Sequence, residues 1–77
     1  MEKIPVKVNA DFMEYEKIVP RCMYWEDRRF EIDRVTDVRR AASQKLGVAG
    51  IRYTCMIRGK VVYLYLVDYL WYMERVG

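Results

Sequence analysis

From Lys3 to Phe12 apolar and polar residues alternate strictly. Ile4, Val6, Val8, Ala10 and Phe12 fall on one side, and Lys3, Pro5, Lys7, Asn9 and Asp11 on the other. Period two over nearly ten residues predicts a half-buried strand. Pro5 has no N–H to give a ladder, so this strand is expected to start at a sheet edge. Met13–Lys17 reads as a charged connection, and Pro20 stands before a second run, Cys22–Trp25. Glu26–Arg29 is a polar turn, followed by Phe30–Ile32. With Asp27-Arg28 as the loop, Trp25 faces Phe30 and Met23 faces Ile32, while Tyr24 faces Glu31 and Cys22 faces Asp33 on the other side. Past Ile32 the apolar positions change parity to Val35 and Val38, which predicts a bulge or sharp bend near Asp33-Arg34.

The last third has the same grammar. Ile51–Arg58, Val61–Val67 and Leu70–Arg75 read as three antiparallel strands joined by very short turns. A Gly59-Lys60 loop suits the type II′ turn, which takes glycine first. It pairs Ile57 with Val62, Cys55 with Leu64 and Tyr53 with Leu66 on an apolar face; Arg58 with Val61, Met56 with Tyr63, Thr54 with Tyr65 and Arg52 with Val67 lie opposite. A second loop at Asp68-Tyr69 pairs Trp71 with Leu66 and Met73 with Leu64, and sets Tyr72 beside Tyr65 and Glu74 beside Tyr63. The strands then share a greasy inner face and an outer face of tyrosines edged by arginine. A slip of one residue would exchange the two.

Between these halves, Thr36–Leu46 favours a helix. Thr36 can cap, Ala41, Ala42, Gln44, Lys45 and Leu46 are helix formers, and Gly47 sits at C′. The alternative is a third strand running on to Val38 with a single helical turn after it. Gly47–Gly50 is a flexible return to the sheet. The fold class expected is mainly β: a small antiparallel barrel or strongly bent sheet of SH3-like character, with about six strands and one short helix near residues 37–46.

At 77 residues the chain is a single domain, 1–77, burying only ~60–65% of its unfolded surface. Domains of this size need a staple. With no histidine, and two cysteines 33 positions apart at Cys22 and Cys55, a metal has no ligand set. A Cys22–Cys55 disulfide requires neighbouring strands; two reduced, buried thiols in a cytoplasmic protein is the preferred reading. Oligomerisation remains as the staple. No secretory signal follows Met1-Glu2-Lys3, and the longest apolar run, Val61–Val67, is too short to span a bilayer, so no membrane association is expected.

Net charge is +3, but residues 34–60 carry +6, against −2 for residues 1–33 and −1 for residues 61–77. Such a field attracts polyanions or an acidic protein patch. The cations responsible are Arg34, Arg39, Arg40, Lys45, Arg52, Arg58 and Lys60. With Tyr63, Tyr65 and Tyr72 as stacking rings they form the candidate nucleic-acid-binding set, since single-strand binders join a basic groove to aromatic platforms. The same cations also read as solvated surface, with the tyrosines in a second core or under the Arg39–Leu46 segment. Glu26, Asp27, Glu31, Asp33 and Asp37 alternate with arginines and read as surface ion pairs rather than an acid–base or magnesium site. Ser43 and Thr54 have no histidine to activate them. No catalytic residue, metal site or cofactor emerges.

Pro20-Arg21, Trp25 before a charged turn, Glu31–Val35, Gly50–Thr54, Gly59-Lys60 and Trp71–Glu74 together resemble a family of small bacterial hypothetical proteins of unknown function, over nearly the whole chain. The order Pro-Arg, Trp, Arg-x-Tyr, Tyr-x-Leu-Tyr and Trp-Tyr also resembles a C-terminal domain of Y-family-polymerase-like proteins of DNA damage tolerance. That second resemblance implies DNA, RNA or a DNA-repair-associated protein as partner. Neither brings a catalytic residue. Where the first family has Asp-Gly-Arg before its last tryptophan, this chain has Asp68-Tyr69-Leu70, a less comfortable turn with an apolar tip. Tyr69 and Leu70 are therefore candidate interface residues, and a homo-oligomer or protein-interaction adaptor using Tyr63, Tyr65, Tyr72 and that tip is the alternative function.

Overall fold

In the computed structural model, which describes residues 3–13, 17–43 and 48–75, seven strands form one antiparallel sheet. They are β1 (Ile4–Met13), β2 (Lys17–Trp25), β3 (Arg28–Glu31), β4 (Arg34–Ser43), β5 (Val48–Ile57), β6 (Lys60–Val67) and β7 (Leu70–Arg75). Their spatial order is β3-β2-β1-β7-β6-β5-β4. The sheet curls until its two edges approach at Ile32-Asp33. There the Ile32 N–H donates to the Arg21 carbonyl at 3.0 Å and the Asp33 N–H to the Met56 carbonyl at 2.8 Å. One two-residue link thus straps β2 to β5 across an otherwise open barrel.

The concave side is the core. Met23, Tyr53, Cys55, Ile57, Val62, Leu64 and Met73 are buried there, with Ile4, Val6, Val8, Trp25, Phe30, Ile32, Val35, Ile51, Leu66 and Trp71 packed around them. Alternation along each strand puts these residues on one face, and burial of that face drives the curl. Phe12 departs from the expected pattern at 81% exposure. β7 begins at Leu70 and meets β1 only at Ile4–Val6, so the far end of β1 runs past the sheet that would have covered it. Pro5 lies not on an edge strand but where only β7 flanks β1. Pro20 lies inside β2, paired with Ala10 beside a bulge at Arg21.

The 37–46 helix does not form. Arg34–Ser43 is strand, paired residue by residue with Val48–Met56, and residues 44–47 lie outside the described ones. Helix propensity separates ordinary residues by a few tenths of a kcal/mol, less than a full ladder and its face contribute. The change of parity has two parts: the bend at Ile32-Asp33, and a bulge at Thr36 that carries the ladder from Val35–Cys55 to Asp37–Thr54.

Two hairpin registers also differ from those expected. Trp25 pairs with Arg28 and Met23 with Phe30, so the loop is Glu26-Asp27; Ile57 pairs with Lys60 and Cys55 with Val62, so the loop is Arg58-Gly59. The Asp68-Tyr69 loop is as expected, with Leu66 opposite Trp71 and Leu64 opposite Met73. All three loops hold both residues at positive φ: Glu26 51°, Asp27 59°, Arg58 52°, Gly59 75°, Asp68 47° and Tyr69 68°. That is the type I′ pattern, whose twist matches the flanking strands. Each corrected register is displaced by two residues, so side chains keep their faces. Cys22 and Cys55 are free and buried, on strands that are not neighbours.

Candidate nucleic-acid interface

On the convex side, residues of four strands fall into one cross-strand row. Arg39 on β4 is opposite Arg52 on β5, Arg52 is opposite Tyr65 on β6, and Tyr65 is opposite Tyr72 on β7. Three strand spacings of ~4.8 Å make this row roughly 14 Å long. The adjacent row is Asp37, Thr54, Tyr63 and Glu74. Period two puts all eight residues outside, opposite the core.

The rows are linked by charge. The Tyr65 hydroxyl donates to Glu74 Oε1 at 3.2 Å, and Lys3 Nζ lies 3.6 Å from Glu74 Oε2 and 4.7 Å from the centre of the Tyr65 ring. Tyr65 is only 6% exposed; burial first, and then the Glu74 charge, pushes its hydroxyl pKa up. The Arg52 guanidinium lies 4.6 Å over the Tyr63 ring, and Tyr63 meets Tyr65 edge-on at 6.4 Å. Arg52 Nε is buried without a hydrogen-bond partner. Arg39 donates to Asp37 through Nε. Two guanidinium-bearing residues therefore face each other directly across strands, a destabilising juxtaposition, with one relieved by a carboxylate and the other by an aromatic face.

The candidate set is divided among several places. Arg34, Arg39, Arg52, Tyr63, Tyr65 and Tyr72 share the convex side. Arg40 pairs with Ile51 and lines a recess at the far end of the sheet with Ile18, Leu66 and Tyr69. Arg58 and Lys60 stand at the opposite end of the concave side, with Arg58 5.0 Å over the Phe30 ring. Lys45 lies outside the described residues. Of the tip residues, Tyr69 is 97% exposed and Leu70 59%. Three participants lay outside the sequence reading: Lys3, Glu74 as a partner of Tyr65, and Arg75. Arg75 shares the parity of Trp71 and Met73, and that signal would have placed it on the concave side.

Among the described residues no group of three or more His, Cys, Asp or Glu side chains could hold a metal ion, and no helix is long and apolar enough to cross a membrane. No family model, no curated protein and no solved structure matches this chain.

Proposed function

We propose that this protein is a non-enzymatic binding module that engages nucleic acid, or a nucleic-acid-associated protein, through the convex face of β4–β7. The observation that carries the reading is the Arg39–Arg52–Tyr65–Tyr72 row, with Arg52 holding a buried, unpartnered Nε. A phosphate between Arg39 and Arg52 would relieve like-charge repulsion and receive charge-assisted hydrogen bonds. Arg34, on the same face of β4, would extend the phosphate contacts along that strand. Tyr72 would supply the stacking ring, with Tyr65 an anchor whose hydroxyl is held by Glu74. The resemblance to a polymerase-associated domain agrees with this reading.

Fluorescence anisotropy with single-stranded DNA, single-stranded RNA and duplex at about 50 and 200 mM salt tests it, because affinity falls by ~0.7 of a logarithmic unit per phosphate contact for each tenfold rise in salt on single strands. Arg39→Ala with Arg52→Met should flatten the salt slope by roughly two contacts. Undetectable binding at about 50 mM salt overturns direct nucleic-acid binding.

A second reading, self-association, is favoured by the sheet's far end. Phe12 is 81% and Tyr69 97% exposed, and both flank one groove floored by Ile18, Leu66 and Trp71. A second copy docking there would cover them. Light scattering across a concentration range decides: a strict monomer rules it out.

A further inference from the structure

The concave side is open at the end formed by the β2–β3 turn, the β5–β6 turn and the end of β7. A recess of about 550 Å³ lies there. Met23, Val62 and Met73 floor it, and Trp25 and Phe30 wall it, their centroids 6.4 Å apart and their planes tilted by 41°. Each ring carries a guanidinium: Arg75 Cζ lies 4.4 Å from the Trp25 centroid, and Arg58 Cζ 5.0 Å from that of Phe30. Lys60 stands on the same rim.

None of the lining residues is acidic, and among the described residues no carboxylate lies within ion-pair distance of Arg58, Lys60 or Arg75. Glu26 and Asp27 occupy the β2–β3 turn at this end without lining the recess, and Asp33 accepts the Arg58 backbone N–H at 3.2 Å and not the guanidinium.

We propose that this recess binds an amphipathic monoanion: a medium-chain carboxylate whose tail lies along the half-buried Trp25 and Phe30 rings and whose head is held by Arg58 and Arg75. The size and apolar lining suit a small molecule, with a few polar groups to orient it. The ring faces that would attract a cationic ligand are already covered by the protein's own arginines. Those guanidiniums keep N–H edges in the fork geometry that matches a carboxylate. An inorganic anion would leave the Trp25 and Phe30 walls uncovered, and a neutral apolar ligand would leave three cations with no carboxylate partner among the described residues. The site is on the opposite side of the sheet from the Arg39–Tyr72 row, and it stands whether or not that row binds nucleic acid.

Calorimetric titration of the full chain with decanoate, decan-1-ol and decyltrimethylammonium tests it. Decanoate should bind saturably, one per chain, at least about tenfold more tightly than the alcohol, and the cation should give no binding. Arg58→Asn with Arg75→Gln should lower decanoate affinity to that of decanol while leaving decanol unchanged. Asparagine tolerates the left-handed backbone at position 58, and Arg75 is exposed at a strand end. Lys60→Gln, on another exposed residue, should weaken decanoate in the same direction, which keeps the test open if the double variant does not fold. Equal affinity for the three decyl compounds, undiminished decanoate binding in the variants, or no saturable heat with decanoate would each overturn the proposal. Arg39→Ala should leave decanoate binding intact.

Discussion

Gly50 leaves no room for a side chain between β5 and β6. A Cβ there would meet Val67 Cγ2 at 2.6 Å and the Leu66 carbonyl oxygen at 2.8 Å. The second contact is backbone and cannot rotate away, so Gly50→Ala should lower stability by ~1–3 kcal/mol, read from urea unfolding. An unchanged midpoint would mean that β5 and β6 can part locally. Arg52 makes the opposite case. Its unpartnered Nε costs about 1–3 kcal/mol, while its contact with the Tyr63 ring returns about 0.5–1 kcal/mol. Arg52→Met keeps an aliphatic stem over that ring and removes the orphan donor. Stability should hold or rise while oligonucleotide affinity falls. A loss of both together would make Arg52 a structural residue and remove it from the proposed interface.

At the scale of the element, the tight turns hold the least comfortable residues. Tyr69 is in the left-handed region at φ 68° and almost fully exposed, a conformation that costs an L-residue with a side chain about 1–2 kcal/mol. Tyr69→Gly should therefore raise stability by about 1 kcal/mol in thermal or urea unfolding. If the tip is a self-association surface, the same change should also dissociate the oligomer. The turns also mark the limit of legibility in the sequence. Alternation was enough to assign Tyr53, Cys55, Ile57, Leu64, Leu66, Trp71 and Met73 to one face, and all are there. It could not separate a loop at Gly59-Lys60 from one at Arg58-Gly59, because a displacement of two residues leaves every side chain on its face. What decided was strand twist, which selects type I′ even at the cost of placing Glu26 and Arg58 at positive φ. The alanines of 36–46 favour helix locally, and pairing of Ala41 and Ala42 with β5 overrides that preference. Of the candidate site, the tyrosine face was legible. The division of the cations was not, since it depends on the Thr36 bulge and on which end of the barrel each turn reaches.

For the molecule as a whole, alkali should reach the core. Burial pushes the Cys55 thiol from its ordinary value of 9.0 up to about 12. Burial likewise raises the Tyr53 hydroxyl, with the nearby Cys55 a smaller cause, and Tyr65 moves in the same direction. The folded state thus holds protons that the unfolded chain releases above pH 9. The stabilisation is complete below that pH and is lost progressively as pH rises toward about 12. Stability measured between pH 8 and 11 should fall above pH 9, with a slope reduced by up to one proton in Cys55→Ala. A flat profile would show that the thiol ionises in place. Below pH 9 Cys55 should resist alkylation unless the chain is unfolded.

The strap at Ile32-Asp33 divides the chain into two meanders, β1–β3 and β4–β7, each made only of hairpin contacts between sequence neighbours. They are joined by that strap and by the ladder of β1 on β7, which links positions almost a full chain length apart. Local hairpins close in microseconds, whereas a ladder of such long range must wait for them. The recess with Trp25 and Phe30 from one meander and Val62, Met73 and Arg75 from the other does not exist until the two have docked. An occupant seated there would act as a latch on the last step of folding, slowing unfolding and leaving early hairpin formation unaffected.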